Sequence, residues 1–302
     1  MIQAMGDEEQ AETPSGDYEP GLGDKTPDDP GGGKQKMSNT SNNDLIWQYF
    51  LLVLVISIPF WLLGGKKLAL PIDLPASSLM FVSPLIAASI LTYRRYGGKG
   101  LMELYKKAVD YRRINNKLWY LAILALLPVL FVLSYAYMRL AGLPLPDDPH
   151  IPLLVGAVLF LVFFITATSE ELGWMGLAIN PLQDRWGFFR ASLLLGMVWS
   201  FWHIIPDLQN QKPIDWIVGQ RLYSVALRIL IVWTYNKTGK SVLAAILLHT
   251  MDNVSAFLFP NYGSHYNPFV TGVITWLAAG LAILGWRGDR DGHRRTRRAS
   301  RI

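Results

Sequence analysis

The amino-acid sequence predicts an all-α, polytopic membrane protein: a helix bundle with about eight transmembrane helices. Three observations carry that expectation. Of the 302 residues, 51% are hydrophobic and only 17% charged, the profile of a chain that spans lipid repeatedly. From Leu45 onward, apolar runs long enough to cross about 30 Å of hydrocarbon at 1.5 Å per residue recur to the end of the chain. No alternating ten-residue pattern of a barrel accompanies them, and backbone amides in lipid must be bonded internally, so the spans are helices.

The spans fall near 45–65, 74–93, 117–140, 151–178, 187–206, 215–235, 240–258 and 268–286. The second, with Pro75 and Pro84, and the sixth, interrupted by Arg221 and Arg228, are the least regular. Ahead of them, residues 1–44 are rich in Gly, Pro, Ser, Asn and acids, and bury too little apolar surface to offset the entropy of ordering, so a disordered tail is expected. It has no secretory signal pattern, and Met37 is an alternative start. "GLGD" at 21–24 matches the GxGD of intramembrane aspartyl proteases, but that motif needs a membrane helix around Asp24, and the match reads as chance. The domains are therefore 1–44, a transmembrane domain 45–286 and a basic tail 287–302.

Basic residues orient the bundle. "YRRYGGKGLMELYKKAVDYRRINNK" and "RGDRDGHRRTRRASRI" are dense in Lys and Arg, whereas "GLPLPDDPH" and "FPNYGSHYNP" have none. Alternation through eight helices then places both termini in the cytoplasm of a multi-pass cell-membrane protein, with "GGKK" at 64–67 the one segment against the rule. The basic tail reads as a topology signal or a contact with anionic lipid, not as a nucleic-acid site. With no cysteine, thiol nucleophiles, disulfides and Cys-ligated zinc are excluded together.

An ionisable group at mid-membrane costs a few kcal/mol, so each one asks for a partner or a role. "FITATSEELGWMGLAI" carries Glu170 and Glu171, "WSFWHIIP" carries His203, and "LLHTMDN" carries His249 and Asn253, on three different spans. His249 and Asn253 are four apart, so one turn stacks them on one face; Trp199 stands in the same relation to His203. The two adjacent glutamates diverge by about 100°, so at most one aims easily into a shared cavity. A carboxylate as general base, a His that orients water and a His/Asn pair that donates to an oxyanion are the parts of a peptide hydrolase. Taken singly, each His or Asn reads as a packing hydrogen bond, and a buried Glu as an ion-pair member or part of a transport path. Glu170, His203 and His249 could also hold zinc, although no HExxH is present. Ser169, in "TSEE", lacks the GxSG setting of a rhomboid-type serine protease.

Together "EELGWMG", "WSFWH" and "YNKTGKSVLAAILLHTMDN" resemble, in order and spacing, the three motifs of the CPBP intramembrane proteases, the group with the Rce1-type CAAX prenyl proteases and bacterial Abi proteins. The resemblance covers about residues 165–258. It implies a Glu-activated water at Glu170 with Glu171 in support, His203 near the water, and His249 and Asn253 as the oxyanion pair. It also implies a membrane-anchored peptide substrate, prenylated CaaX-like ones included; the family is often labelled metalloprotease, but a glutamate mechanism with no metal cofactor suits these residues better, with zinc as the alternative. The family arginine one turn after Glu171 is Met175 here, so Glu171 needs another cation, and Arg228 is the candidate. The alternatives are an inactive binding or scaffold protein of the same fold, for which Met175 argues, and a small-solute transporter. One geometric difficulty accompanies the reading. With these boundaries Glu170 falls toward the cytoplasmic end of its helix and His203 toward the outer end of the next, which a long, tilted fourth helix and a later, displaced fifth would reconcile.

Overall fold

The computed structural model describes the backbone of residues 32–64 and 75–299, and the side chains of 44–64 and 75–286. The chain separates into two units, 1–39 and 40–302. Of the first, only the backbone of 32–39 is described, and it is helical. The packing and the candidate site belong to the second.

Every described element is helical. α1 (Gly32–Leu62) is followed by a 3-10 segment (Ala76–Val82), α2 (Ser83–Lys106), α3 (Leu118–Leu140), α4 (Leu153–Gly173) and a π-helical segment (Trp174–Ala178). α5 (Ile179–Trp202), α6 (Ile204–Gln209), α7 (Ile214–Lys237), α8 (Val242–Leu258), the short α9 (Pro260–Gly263) and α10 (Pro268–Ala299) complete the order. Among the described residues six stretches are long and apolar enough to cross a membrane, and α8 is a shorter apolar helix. One of the six, Leu153–Gln209, breaks at Gly187, whose φ of 73° is open to glycine and unfavourable to other residues. Divided there, it supplies two spans, which makes eight with α8.

The irregular second span has a local explanation. Pro84 sits in the first turn of α2, where its missing N–H leaves no helical bond unmade. α2 then bends at Gly97 (φ 64°), so that a second limb, 98–106, leaves the direction of the first. The backbone of α1 is helical from Gly32, ahead of the expected first span, because extending a nucleated helix costs far less than starting one. "GLGD" and all of "GGKK" past Gly64 lie outside the described residues, and α10 continues through Ala299 into the segment expected as a basic tail.

Packing places α8 against α3, α4 and α7, and α7 against α5 and α10. Small residues let these backbones approach. A methyl group on Gly156 of α4 would meet Leu258 of α8 at 2.9 Å, and one on Gly196 of α5 would lie 3.3 Å from Cβ of Arg228 on α7. The start of α8 is held by Asp110, whose carboxylate accepts from Ser241 Oγ (2.6 Å) and from the backbone N–H groups of Val242 (3.0 Å) and Leu243 (3.2 Å). Ser241 Oγ accepts in turn from Ala244 N–H at 3.1 Å. A carboxylate on the open amides of a helix start stabilises it and fixes its height in the bundle, and with it the height of His249 two turns on.

Candidate active site

Residues 153–186 run as one long limb through the π segment, which at 1.5 Å per residue is roughly 50 Å and so exceeds the hydrocarbon thickness. Glu170 and Glu171 therefore lie near the middle of that limb, not toward its end, and the next limb begins only at Phe188. This resolves the expected offset from His203. Gly173, just past the acids, is where three helices close up: a methyl group there would collide with Tyr49 Oη of α1 and come within 2.7 Å of the Pro84 carbonyl of α2. Trp174 is fully buried beside it, edge-on to Tyr49 (5.4 Å) and Trp202 (5.7 Å). These contacts fix the rotation of the limb about its axis, and hence which way each glutamate points.

The two carboxylates do diverge. Glu171, fully buried, accepts from Nη1 of Arg228 on α7 (2.8 and 2.9 Å to its two oxygens) and from Nδ1 of His249 on α8 (2.8 Å). Arg228 is likewise fully buried, and its guanidinium lies over the Trp199 ring at 4.2 Å, an attraction that strengthens away from water. Arg228 Nε and Nη2 find no acceptor among the described residues. Glu170, 6% exposed, accepts from Nε1 of Trp199 at 2.7 Å. One tryptophan thus touches Glu170 and the cation that Glu171 holds.

Trp199 also sets the histidines. Its ring stands edge-on to His203 (5.0 Å) and His249 (5.4 Å). His203, half-buried at the corner between α5 and α6, directs Nδ1 to the Trp199 carbonyl at 2.8 Å. A carbonyl only accepts, so Nδ1 carries a proton, and in the neutral ring that leaves the lone pair at Nε2. The corner itself is braced from α7: Arg221 donates to the Ser200 carbonyl and to Asp207 (2.6 Å).

Glu170, Glu171, His203 and His249 are therefore gathered around one indole. Asn253, half-buried, lies one turn beyond His249 on α8, and its amide takes part in none of these hydrogen bonds. Sequence reasoning missed two features. Trp199 was legible only as a neighbour of His203, since nothing in "WSFWH" tells that its N–H reaches Glu170. The buried pair in which Tyr223 donates to Asp252 was missed altogether, although Asp252 stands three residues after His249 in "HTMDN".

Among the described residues no three His, Asp or Glu side chains are disposed around a common metal position.

The helices that build the cluster coincide with the part of the chain that resembles known proteins. Residues 152–255, from the start of α4 to the end of α8, match the family model described as type II CAAX prenyl endopeptidase Rce1-like. CAAX prenyl protease 2 of Methanococcus maripaludis is 26% identical over 263 residues, which cover 78% of this chain and 92% of the relative. The three motifs, the helical bundle and these two matches agree in what they point to: the chain is similar to the Rce1-type CAAX prenyl endopeptidases of the CPBP group.

Proposed function

We propose that the chain hydrolyses a peptide bond of a membrane-anchored substrate, prenylated CaaX-like peptides included, by a water molecule that Glu170 activates without a metal ion. The observation that carries this reading is the division of labour between adjacent acids. Glu171 is matched by a guanidinium and an imidazole, whereas the hydrogen bond found at Glu170 comes from a neutral indole. A carboxylate already neutralised by cationic donors is a poor base; one with a single neutral donor keeps lone pairs for water.

The remaining roles follow from the same geometry. His203 offers a lone pair at Nε2 to orient the water. His249, with Nδ1–H on Glu171, presents Nε2 away from the acid; as an imidazolium it balances the second carboxylate, so that two negative and two positive groups are buried together. Its Nε2–H and the Asn253 amide then donate to the oxyanion that forms on the scissile carbonyl. As water attacks, its proton passes to Glu170; when the carbon–nitrogen bond breaks, Glu170 returns that proton to the leaving amine. Arg228 supplies from α7 the cation that the family places at position 175, which supports an active site over an inactive scaffold.

Isotope labelling tests the water route. In a single turnover in ¹⁸O water with enzyme in excess, mass spectrometry should find one heavy oxygen in the new C-terminal carboxylate and none in Glu170. Heavy oxygen in Glu170 would mean an acyl-enzyme in place of activated water. A wild-type chain that releases no peptide from any membrane proteome would leave the scaffold reading.

A further inference from the structure

The geometry points to an anion site for a phospholipid headgroup in the corner between the two limbs of α2 and the π segment, distinct from the acid cluster. A cavity of about 310 Å³ lies there, lined by Thr92, Tyr96, Glu103, Leu104, Lys107 and Leu177 among others. Lys107 is half-buried and donates to the Gly176 carbonyl at 2.6 Å. That carbonyl belongs to the π segment, where the helical ladder slips by one residue and leaves an acceptor for outside donors. An ammonium has three donors, so two remain for a ligand in the cavity. Thr92 is 6% exposed, and its hydroxyl has no hydrogen-bond partner among the described residues, an orphan that a bound oxyanion would satisfy. Glu103 also lines the cavity, but its carboxylate is matched by Lys106 at 2.8 Å.

The occupant is a lipid and not a soluble phosphate because of where the corner lies. The first limb of α2 is membrane-spanning, and Gly97 turns the chain into a limb with exposed apolar groups at Met102 and Tyr105 beside Lys99 and Lys106. A helix with that mixture rests at headgroup depth, and basic residues there attract anionic lipids. Arg94, Arg112, Arg113 and Lys117 surround it in sequence. A phosphodiester held between Lys107 and Thr92 would clamp the π segment, which begins three residues after Glu171, against α2. The lipid would thus steady the limb that carries both acids.

Native mass spectrometry of the full-length protein, extracted from phosphatidylcholine bilayers doped with phosphatidylglycerol, reads the site without any activity assay. Wild type should retain phosphatidylglycerol over phosphatidylcholine. Lys107→Gln should lose roughly five-fold or more of that preference, while Lys107→Arg keeps it. Thr92→Val should lose part of it, and this variant carries the test if Lys107→Gln does not fold. Three results would overturn the assignment. Lys107→Gln and Thr92→Val could bind as wild type does. Lys99→Gln, outside the cavity lining, could lower the preference as much as Lys107→Gln, which means diffuse attraction only. Inorganic phosphate could displace the retained lipid, which means a site for a soluble anion.

Discussion

Burying Glu171 and Arg228 together has a consequence whose size depends on how the pair is broken. Removal of one partner leaves the other as an uncompensated charge, at a cost of about 3–5 kcal/mol, whereas removal of both can be close to neutral. Glu171→Gln and Arg228→Met should therefore each lower stability by that amount in detergent, and the double variant by much less than their sum. A coupling of at least about 2 kcal/mol is expected from chemical unfolding curves; additive losses would show that Arg228 is not the counter-ion. The sequence indicated this pair, because a cation inside a span otherwise poor in counter-ions must meet an acid somewhere. It did not indicate that His249 shares the same carboxylate. The four-residue spacing to Asn253 shows that both lie on one face, but not which group that face meets. Trp199 was hidden for a related reason: an aromatic in a membrane span is ordinary, and its single N–H acquires meaning only when a carboxylate from another helix arrives.

The arrangement of elements explains why the acids can sit at mid-limb. An expected span of 151–178 put Glu170 close to its end, whereas the π segment and the turn that follows it extend the limb to Trp186 before Gly187 breaks it. Hydropathy cannot read such an extension, since "NPLQDRWG" is polar enough to resemble a loop. Gly173 is the position where the limb is gripped. Gly173→Ala should cost about 1–3 kcal/mol by overpacking against Tyr49 and the Pro84 carbonyl, and should depress turnover by turning Glu170 away from Trp199. Tyr49 Oη is buried without a hydrogen-bond partner among the described residues, so Tyr49→Phe alone should be tolerated and should restore part of the loss when combined with Gly173→Ala. Melting temperatures and kcat for the four proteins measure both effects. No recovery in the double variant would mean that the backbone contact with Pro84 dominates.

At the scale of the whole molecule, the number of helices and their class were legible because lipid imposes length and apolarity on each span. Which helices touch was not, because lipid-facing and bundle-facing apolar residues look alike in sequence. Orientation rests on loop charge and can be measured cleanly in a chain without cysteine. A membrane-impermeant maleimide should label Ser264→Cys from outside intact cells and Lys99→Cys only after permeabilisation; the reverse pattern would invert the bundle. The central claim, however, concerns one carboxylate. The most direct measurement is the release of peptide product from reconstituted liposomes by Glu170→Gln beside wild type, with folding checked by melting. Removing the base should reduce turnover by at least about 10²–10⁴ while the melting temperature changes little. Wild-type turnover by a folded Glu170→Gln protein would contradict the account.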